Sequence, residues 1–134
     1  MTRLEELRSR FEQEPLGKLL EARLEVLEDG RAVIAIPAKQ EFTIVGGIVQ
    51  GGITTAVADY AGVYAAMTRI PSGHTPAVQI SINFLRPVGL GETLRAEAKV
   101  VNENRSQVAT SVEVRGQDGK LKALATILFA KPSR

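Results

Sequence analysis

Apolar residues near the start of the chain recur every three or four positions. Leu4, Leu7 and Phe11 would lie on one side of a helix in an otherwise charged segment, and residues 15–17 (Pro-Leu-Gly) interrupt the repeat. The pattern therefore predicts a short amphipathic helix that ends at this interruption. Because one of its faces is apolar, we expect this helix to cover another part of the fold.

After this helix the hydrophobic period changes from helical to two. Apolar and charged residues alternate from Leu20 to Val26, and a second apolar run spans residues 31–36. Asp29-Gly30 lies between the two runs, and a tight hairpin turn needs the positive φ that glycine adopts readily. The spacing predicts two strands joined in a hairpin.

The longest helical pattern spans residues 51–69 and follows a loop of small residues, 38–49. One stripe of this pattern carries the large apolar side chains Ile53, Val57, Tyr60, Tyr64 and Met67. A second stripe is almost entirely small and consists of Thr55, Asp59, Gly62 and Ala66. The two stripes predict one long helix that is packed closely on two sides.

Four further runs of alternating apolar and polar residues follow a break at residues 71–74. They span residues 78–84, 94–100, 108–114 and 121–129. A Gly-Gln-Asp-Gly turn at 116–119 separates the last two runs. Since the connections are short, the pattern predicts that these four strands form an antiparallel meander.

The predicted order is short helix, hairpin, long helix and four strands, an α+β arrangement in a single domain over residues 1–134. One helix wrapped by a curved antiparallel sheet of about six strands is the hotdog architecture, and the pattern predicts this fold. A ferredoxin-like sandwich needs a second long helix late in the chain, where only strand patterns occur. The edges of the predicted sheet would be exposed, and pairing in a dimer is one way to cover them.

Composition excludes several classes of function. Among 134 residues the 17 Lys and Arg exceed the 15 Asp and Glu by only two and are scattered, which argues against nucleic acid as the main partner. The absence of cysteine excludes disulfides, thiolate metal sites and a cysteine nucleophile. A single histidine, His74, excludes a metal site of several histidines within one chain. A charged beginning and the lack of an apolar run of about 20 residues predict a cytoplasmic protein without a membrane partner.

Asp59 is the outstanding candidate for catalysis. It is the only charged residue between Glu41 and Arg69, and it lies in the middle of an apolar helix. A carboxylate removed from water raises the free energy of the fold unless it is paired or used, so an isolated one indicates a functional site. The alternative is a turn of the helix that faces water.

The residues Gln50, Gly51 and Gly52 precede this helix directly. The first turn of a helix has unpaired N–H groups at its positive end, and glycine lets a ligand approach them. Such groups can polarise a carbonyl and stabilise an oxyanion; the alternative is that the glycines only permit a tight loop. Asp59 lies eight residues after Gly51, about 12 Å along a helix, so one reacting carbonyl cannot touch both. If they act together, they come from different chains of at least a dimer whose helices run antiparallel. The small face of Thr55, Asp59 and Gly62 is what such a close approach would require.

Four motifs in this order resemble the PaaI-like (phenylacetate-degradation-type) family of hotdog thioesterases, which is related to the hydroxybenzoyl-CoA thioesterases. They are the Gly-Gly pair followed by residues 58–62 (Ala-Asp-Tyr-Ala-Gly), then 82–87 (Ile-Asn-Phe-Leu-Arg-Pro), 96–101 (Ala-Glu-Ala-Lys-Val-Val) and 119–125 (Gly-Lys-Leu-Lys-Ala-Leu-Ala). The similarity covers nearly the whole chain, and the combination is more specific than any one motif.

The resemblance implies hydrolysis of an acyl-CoA or aryl-CoA thioester without a cofactor or metal. Asp59 would be the general base or the nucleophile, and the Gly51 N–H of a partner chain would bind the oxyanion. The family also implies a homotetramer of two dimers with sites shared between chains. Residues at the remaining family positions or in nearby turns are candidate substrate contacts: Thr43, Ile44, Gly52, Thr55, His74, Thr75, Arg86, Arg105 and Ser106.

Three positions depart from the family pattern. Gln50 stands where the family commonly has histidine, Ile44 where it has a polar amide residue, and Ala77 where it often has a hydroxyl residue. Gln50 stays a candidate catalytic residue, because its amide can still donate a hydrogen bond to a carbonyl or to the loop. These departures leave two alternatives open: a protein that binds acyl-CoA without hydrolysing it, and a hydratase that pairs Asp59 with His74.

The phosphates of coenzyme A need positive groups, and two turns supply candidates. Arg86 ends a predicted strand, and Arg105-Ser106 lies in a turn, so both suit either phosphate contact or simple solvation. Gln79, Ser81 and Asn83 alternate along one predicted strand. They would line a channel for the pantetheine arm or form an ordinary water-facing sheet surface.

Overall fold

The computed structural model describes residues 1–132. The helices are α1 (Arg3–Gln13), α2 (Pro15–Leu20) and α3 (Gly51–Met67), with a short 3₁₀ helix at Gln40–Phe42. The strands are β1 (Arg23–Glu28), β2 (Arg31–Pro37), β3 (Ala77–Phe84), β4 (Thr93–Glu103), β5 (Gln107–Arg115) and β6 (Leu121–Ala130). Within this part of the chain no helix is both long enough and apolar enough to cross a membrane.

The first strand begins later than the alternation at Leu20 predicts, because a second helix comes before it. Pro15 starts α2 as well as ending α1, and proline suits a first turn because its missing N–H removes no hydrogen bond there. Glu21 then adopts a left-handed conformation with φ of 54°, which ends α2. Local alternation was therefore misleading over the few residues after Gly17.

The predicted hairpin of β1 and β2 is confirmed. Gly30 has a φ of 76° in the turn, a conformation that residues with a side chain rarely adopt. The register shifts between Leu24 and Val26, where β1 has a β-bulge. The bulge reverses the alternation, so that Leu27 and not Val26 is fully turned into the core.

All six strands form one antiparallel sheet in the order β1-β2-β4-β5-β6-β3. The predicted meander is correct for β4, β5 and β6 but wrong for β3, which pairs with β6 at the opposite edge. The connection 85–92 crosses from that edge, so that β4 pairs with β2 in a register that aligns Ile34 with Ala96. This arrangement puts α3 inside the curve of the sheet, and the hotdog fold is confirmed.

One face of α3 differs from the prediction. A Cβ atom on Gly62 would lie 3.1 Å from Phe129 and 3.2 Å from both Ile127 and Thr110, so this glycine lets the helix rest directly on β5 and β6. Gly62 and Ala66 therefore pack against the chain's own sheet and not against a partner. The half-exposed stripe consists instead of Thr55, Ala56, Asp59 and Val63.

The N-terminal helix covers one side of α3, as expected. The ring of Phe11 lies 5.2 Å from that of Tyr60 and 5.5 Å from that of Tyr64, between ring centroids. Both tyrosine hydroxyls donate to the Glu14 carboxylate, and their burial raises the pKa of each phenol well above its usual value. Arg3 donates to the carbonyls of Met67 and Gly73, which ties the end of α3 and the loop after it to α1.

Candidate active site

Asp59 lies halfway along α3 on its half-exposed face. Its Oδ1 atom is buried and is one of three buried polar side-chain atoms within residues 1–132 that have no hydrogen-bond partner. Burial raises the pKa of the Asp59 carboxyl, and the charge of His74 opposes this effect only in part. A carboxylate with a raised pKa is a stronger base than an ordinary aspartate. Since Oδ1 of Asp59 makes no hydrogen bond within residues 1–132, that oxygen can contact a reactant.

The inner face of the edge strand β3 forms an apolar, partly uncovered groove beside α3. Ile80 pairs with the fully buried Ile127, so its side chain faces the helix side of the sheet, yet it is 38% exposed. Phe84 lies four residues further along the strand and therefore on the same face, and it is 55% exposed. The inner face of this edge strand is thus partly uncovered in a single chain, as is the face of α3 that carries Asp59.

The polar residues of β3 do not line this groove. Ser81 pairs with the exposed Thr126, and Asn83 pairs with Leu124 on the outer face of the sheet. Alternation along the strand therefore directs Ser81 and Asn83 away from α3. Of the two interpretations of these residues, the water-facing surface is the one that describes them.

The amino end of α3 is capped by Gln50. Its side-chain oxygen accepts a hydrogen bond from the Gly52 N–H at 2.5 Å, and its backbone carbonyl accepts from Ile53 at 2.9 Å. The N–H of Gly51, the first residue of the helix, has no acceptor within residues 1–132. The ring of Phe84 lies against Gly51, because a Cβ atom there would be 3.2 Å from Cζ of the ring. The arrangement leaves one N–H at the positive end of the helix available to a ligand.

The hydroxyl groups predicted to contact substrate are mostly engaged elsewhere. Thr55 donates to the Gly51 carbonyl at 2.8 Å within the helix, and Thr43 donates to the Gln40 carbonyl at 2.7 Å. Ile44, beside Thr43, is 52% exposed on the loop that precedes α3. Thr75 is fully buried, and its Oγ1 has no partner among the described residues.

The two candidate phosphate-binding arginines lie in different clefts. Arg86 lies beside Gly51 and donates to the Leu121 carbonyl at 2.8 Å. Arg105 lines a cleft of about 1000 Å³ at the opposite end of α3, together with His74 and Lys131. Ser106 instead donates two hydrogen bonds to the side-chain oxygen of Asn104 in the same turn, one from its backbone N–H at 3.0 Å and one from its hydroxyl at 3.2 Å. The structure thus brings His74 and Arg105 together and separates both from Arg86.

Two residues beside Gly51 were missed in the sequence. Phe84 has the pattern of an ordinary strand residue, and Lys122 that of a polar residue in an alternating strand. Lys122 is nevertheless buried, with its side chain only 7% exposed. The one available signal was that Lys122 lies within the apolar run of β6. A lysine buried at such a place needs partners for its charge, which points to a polar cluster there.

A curved antiparallel sheet around one long helix defines a hotdog-fold protein, and the half-buried carboxylate on the helix and the free N–H at its start are its candidate catalytic groups. The model of the Thioesterase superfamily matches residues 46–123, and the chain belongs to that family. This confirms the resemblance found in the sequence motifs.

Individual proteins agree with this assignment. A provisionally named esterase from Saccharolobus solfataricus is 35% identical over 122 residues, which cover 91% of this chain and 85% of that protein. The phenylacetic acid degradation protein PaaI from Thermus thermophilus, solved as a point mutant, is 31% identical with a TM-score of 0.83, over 89% of this chain and 100% of that chain. A thioesterase from Streptococcus pneumoniae, solved with coenzyme A, has a TM-score of 0.76 and 21% identity over 84% of this chain and 90% of its own, a likeness of fold.

Proposed function

We propose that the protein hydrolyses small acyl-CoA or aryl-CoA thioesters and that Asp59 is its catalytic carboxylate. The observation that carries the proposal is the buried Oδ1 atom of Asp59, which has no partner within residues 1–132 and belongs to a side chain on the half-exposed face of α3. The presence of coenzyme A in the Streptococcus pneumoniae thioesterase supports coenzyme A as the carrier of the acyl group.

In this proposal the Gly51 N–H holds the carbonyl oxygen of the thioester. As a nucleophile attacks the carbonyl carbon, negative charge develops on that oxygen, and the N–H at the positive helix end stabilises it. Asp59 either accepts a proton from the attacking water or attacks the carbonyl itself, forming an anhydride that water then opens. In both routes the carbon–sulfur bond breaks, the thiolate of coenzyme A takes up a proton, and a free acid is released.

The proposed site is shared between two chains. Asp59 and Gly51 lie eight residues apart on one helix, about 12 Å along its axis, which is too far for one carbonyl to contact both. A second copy placed against the uncovered side of β3, with its α3 antiparallel, would bring its Gly51 towards Asp59 of the first. It would also cover Ile80 and Val63, which are partly exposed in the single chain. A homodimer, or a tetramer of two such dimers, is the proposed active form.

The proposal is tested by release of free coenzyme A from short, medium, long-chain and aromatic acyl-CoA thioesters. Asp59→Asn should lower kcat by roughly 10²–10⁴ with the oligomer intact, the range for loss of a general base. Glu12→Gln is the matched control, because it makes the same chemical change at an exposed carboxylate and should leave the rate unaltered. Binding of acyl-CoA without any release would instead favour the non-catalytic alternative, to which Gln50 in place of histidine points.

Mixing two inactive variants tests the sharing of sites. A hybrid of one Asp59→Ala chain and one Gly51→Val chain would contain one site with both groups intact. If half of the dimers are hybrids, about a quarter of the wild-type rate should return on co-expression or on refolding together. No recovery, with hybrid dimers shown to form, would mean that Asp59 and Gly51 are wrongly assigned as the pair.

A further inference from the structure

A cleft of about 310 Å³ opens at the point where α3 begins. Gly51 and Thr54 form its floor, and the ring of Phe84 lies over Gly51, so that an added Cβ atom would be 3.2 Å from the ring. Gly51, whose N–H has no acceptor within residues 1–132, therefore borders this cleft. A carbonyl bound to that N–H would place one of its two substituents in the cleft.

The walls of the cleft are largely apolar and well supported. Val49 and Val88 line it, are 6% and 3% exposed, and are joined by a hydrogen bond from the Val49 N–H to the Val88 carbonyl at 2.9 Å. A second bond, from the Leu90 N–H to the Gly47 carbonyl at 3.0 Å, connects the same two loops. Phe84 on the other side is 55% exposed. The valine wall is thus held by two hydrogen-bonded loops, whereas Phe84 is a largely exposed side chain on the edge strand β3.

The charge of Lys122, which lines the cleft, is balanced within the protein. Its Nζ atom lies 3.5 Å from a Glu92 oxygen, 3.7 Å from an Asp118 oxygen and 3.3 Å from the Pro87 carbonyl. An anionic guest would compete with two carboxylates for this lysine. A guest with amide groups would lose hydrogen bonds to water against the apolar wall, which raises its free energy. Arg86 also lines the cleft, but it is exposed, and its guanidinium donates to the Leu121 carbonyl. The buried valine wall therefore favours an uncharged, apolar group.

We infer that this cleft binds the acyl group of the substrate and that Phe84 determines its size. The inference rests on the proposed function, since the acyl carbonyl is placed at Gly51. The pantetheine arm carries two amides and is excluded by the same argument, so it leaves the site on the other side. A volume of about 310 Å³ is at the small end for ligand pockets, which favours short aliphatic or single-ring acyl groups over long chains.

Two opposite substitutions test the role of Phe84. Rates with acetyl-, butyryl-, hexanoyl-, decanoyl- and benzoyl-CoA give a ratio of kcat/KM for long over short substrates. Phe84→Ala should raise the decanoyl-to-butyryl ratio at least about tenfold and Phe84→Trp should lower it, because a few methylenes in a pocket change discrimination by this order. Val101→Ala is the control, since Val101 is similarly exposed, at 60%, on β4 but lies away from the cleft.

A second measurement separates failure of the cleft from failure of the proposed function. The wild-type chain has no tryptophan, so the single indole of the Phe84→Trp variant reports on the cleft without any turnover. Titration with hexanamide or benzamide should change its fluorescence with saturation, because the amide carbonyl would lie at the Gly51 N–H and only the hydrocarbon part would enter the cleft. Fluorescence that does not respond, or an unchanged substrate ratio in an active enzyme, overturns the inference.

The remaining outcomes also decide the matter. Dissociation of the oligomer in Phe84→Ala would show that Phe84 acts by holding the two chains together and would overturn its role in setting the size of the pocket. A wild-type protein that releases no coenzyme A but whose Phe84→Trp variant binds the amides would retain the cleft as an acyl site and overturn the hydrolysis.

Discussion

The side-chain oxygen of Gln50 lies 2.5 Å from the backbone nitrogen of Gly52 and accepts its hydrogen bond. This contact satisfies the second N–H of α3 and leaves the first, on Gly51, free. Gln50 therefore acts as a helix cap at the position where the family commonly has histidine. Its structural role is to hold the first turn of α3 in place while the Gly51 N–H stays available.

Loss of this cap should affect stability more than chemistry. Gln50→Ala removes one hydrogen bond at a helix end and should lower the free energy of unfolding by about 1 kcal/mol. Chemical denaturation of both proteins measures the difference. Gln50→Asn is the control, because a shorter amide suits the cap position and should recover much of the loss. A fall in kcat of more than about tenfold with unchanged stability would instead give the Gln50 amide a direct role in the reaction.

Asp59 should destabilise the native protein at neutral pH. Because burial raises the pKa of its carboxyl in the folded state, the folded protein binds more protons than the unfolded chain between the unfolded and folded pKa values. Its contribution to stability is therefore fully present below the unfolded pKa and is lost as pH rises through the folded pKa. Asp59→Asn should raise Tm at pH 7 and should have little effect on Tm at pH 3.

Thermal unfolding at several pH values checks this sign, with Glu12→Gln as the control for an exposed carboxylate. If the variant and the wild type differ by the same amount at both pH values, the prediction is wrong and Asp59 titrates alike in the folded and unfolded states.

The acid limb of the pH–rate profile should depend on His74. If ionised Asp59 is needed, kcat/KM falls as pH drops through its raised pKa. The charge of His74 lowers that pKa, so His74→Asn should move the limb to higher pH. His74→Lys keeps a positive charge and should leave the limb near its wild-type place. If the acid limb moves equally in both variants, the effect comes from a change in the loop that holds residue 74 and not from the charge of His74.

Gly62 should resist enlargement despite lying inside a helix. Alanine is favoured over glycine in helices by about 1 kcal/mol, but here its methyl group would lie 3.1–3.2 Å from three fully buried side chains. Overpacking of this kind destabilises by about 1–3 kcal/mol, so Gly62→Ala should be less stable than the wild type in chemical denaturation. Ala56→Gly on the half-exposed face is the comparison and should show only the helix preference. A more stable Gly62→Ala protein would mean that β5 and β6 yield easily.

Several features were predictable because their signals are local. The period of two and the Asp-Gly pair predicted the β1–β2 hairpin, and the apolar stretch after Gly51 predicted the central helix to within two residues of its end at Met67. Asp59 stood out because no other charge interrupts that stretch. Each of these depends on neighbours in the sequence and on backbone preferences that act over a few residues.

The features that were wrong or missed depend on contacts between distant residues. The place of β3 beside β6 is one, because alternation predicts a strand but not its partner. The packing of Gly62 against β5 and β6 is another, since a small residue suits a sheet as well as a partner helix.

By itself, the sequence determined the kinds and order of most elements, the family, and the isolated carboxylate in the central helix. Only the tertiary structure decided that the Asp59 oxygen is buried without a partner among residues 1–132, that Phe84 lies over Gly51, and that Arg86 and Arg105 belong to separate clefts. The reason is that periodicity records which face of an element is apolar. Which surfaces then meet is decided when strands far apart in the chain pair and the helix is placed on them.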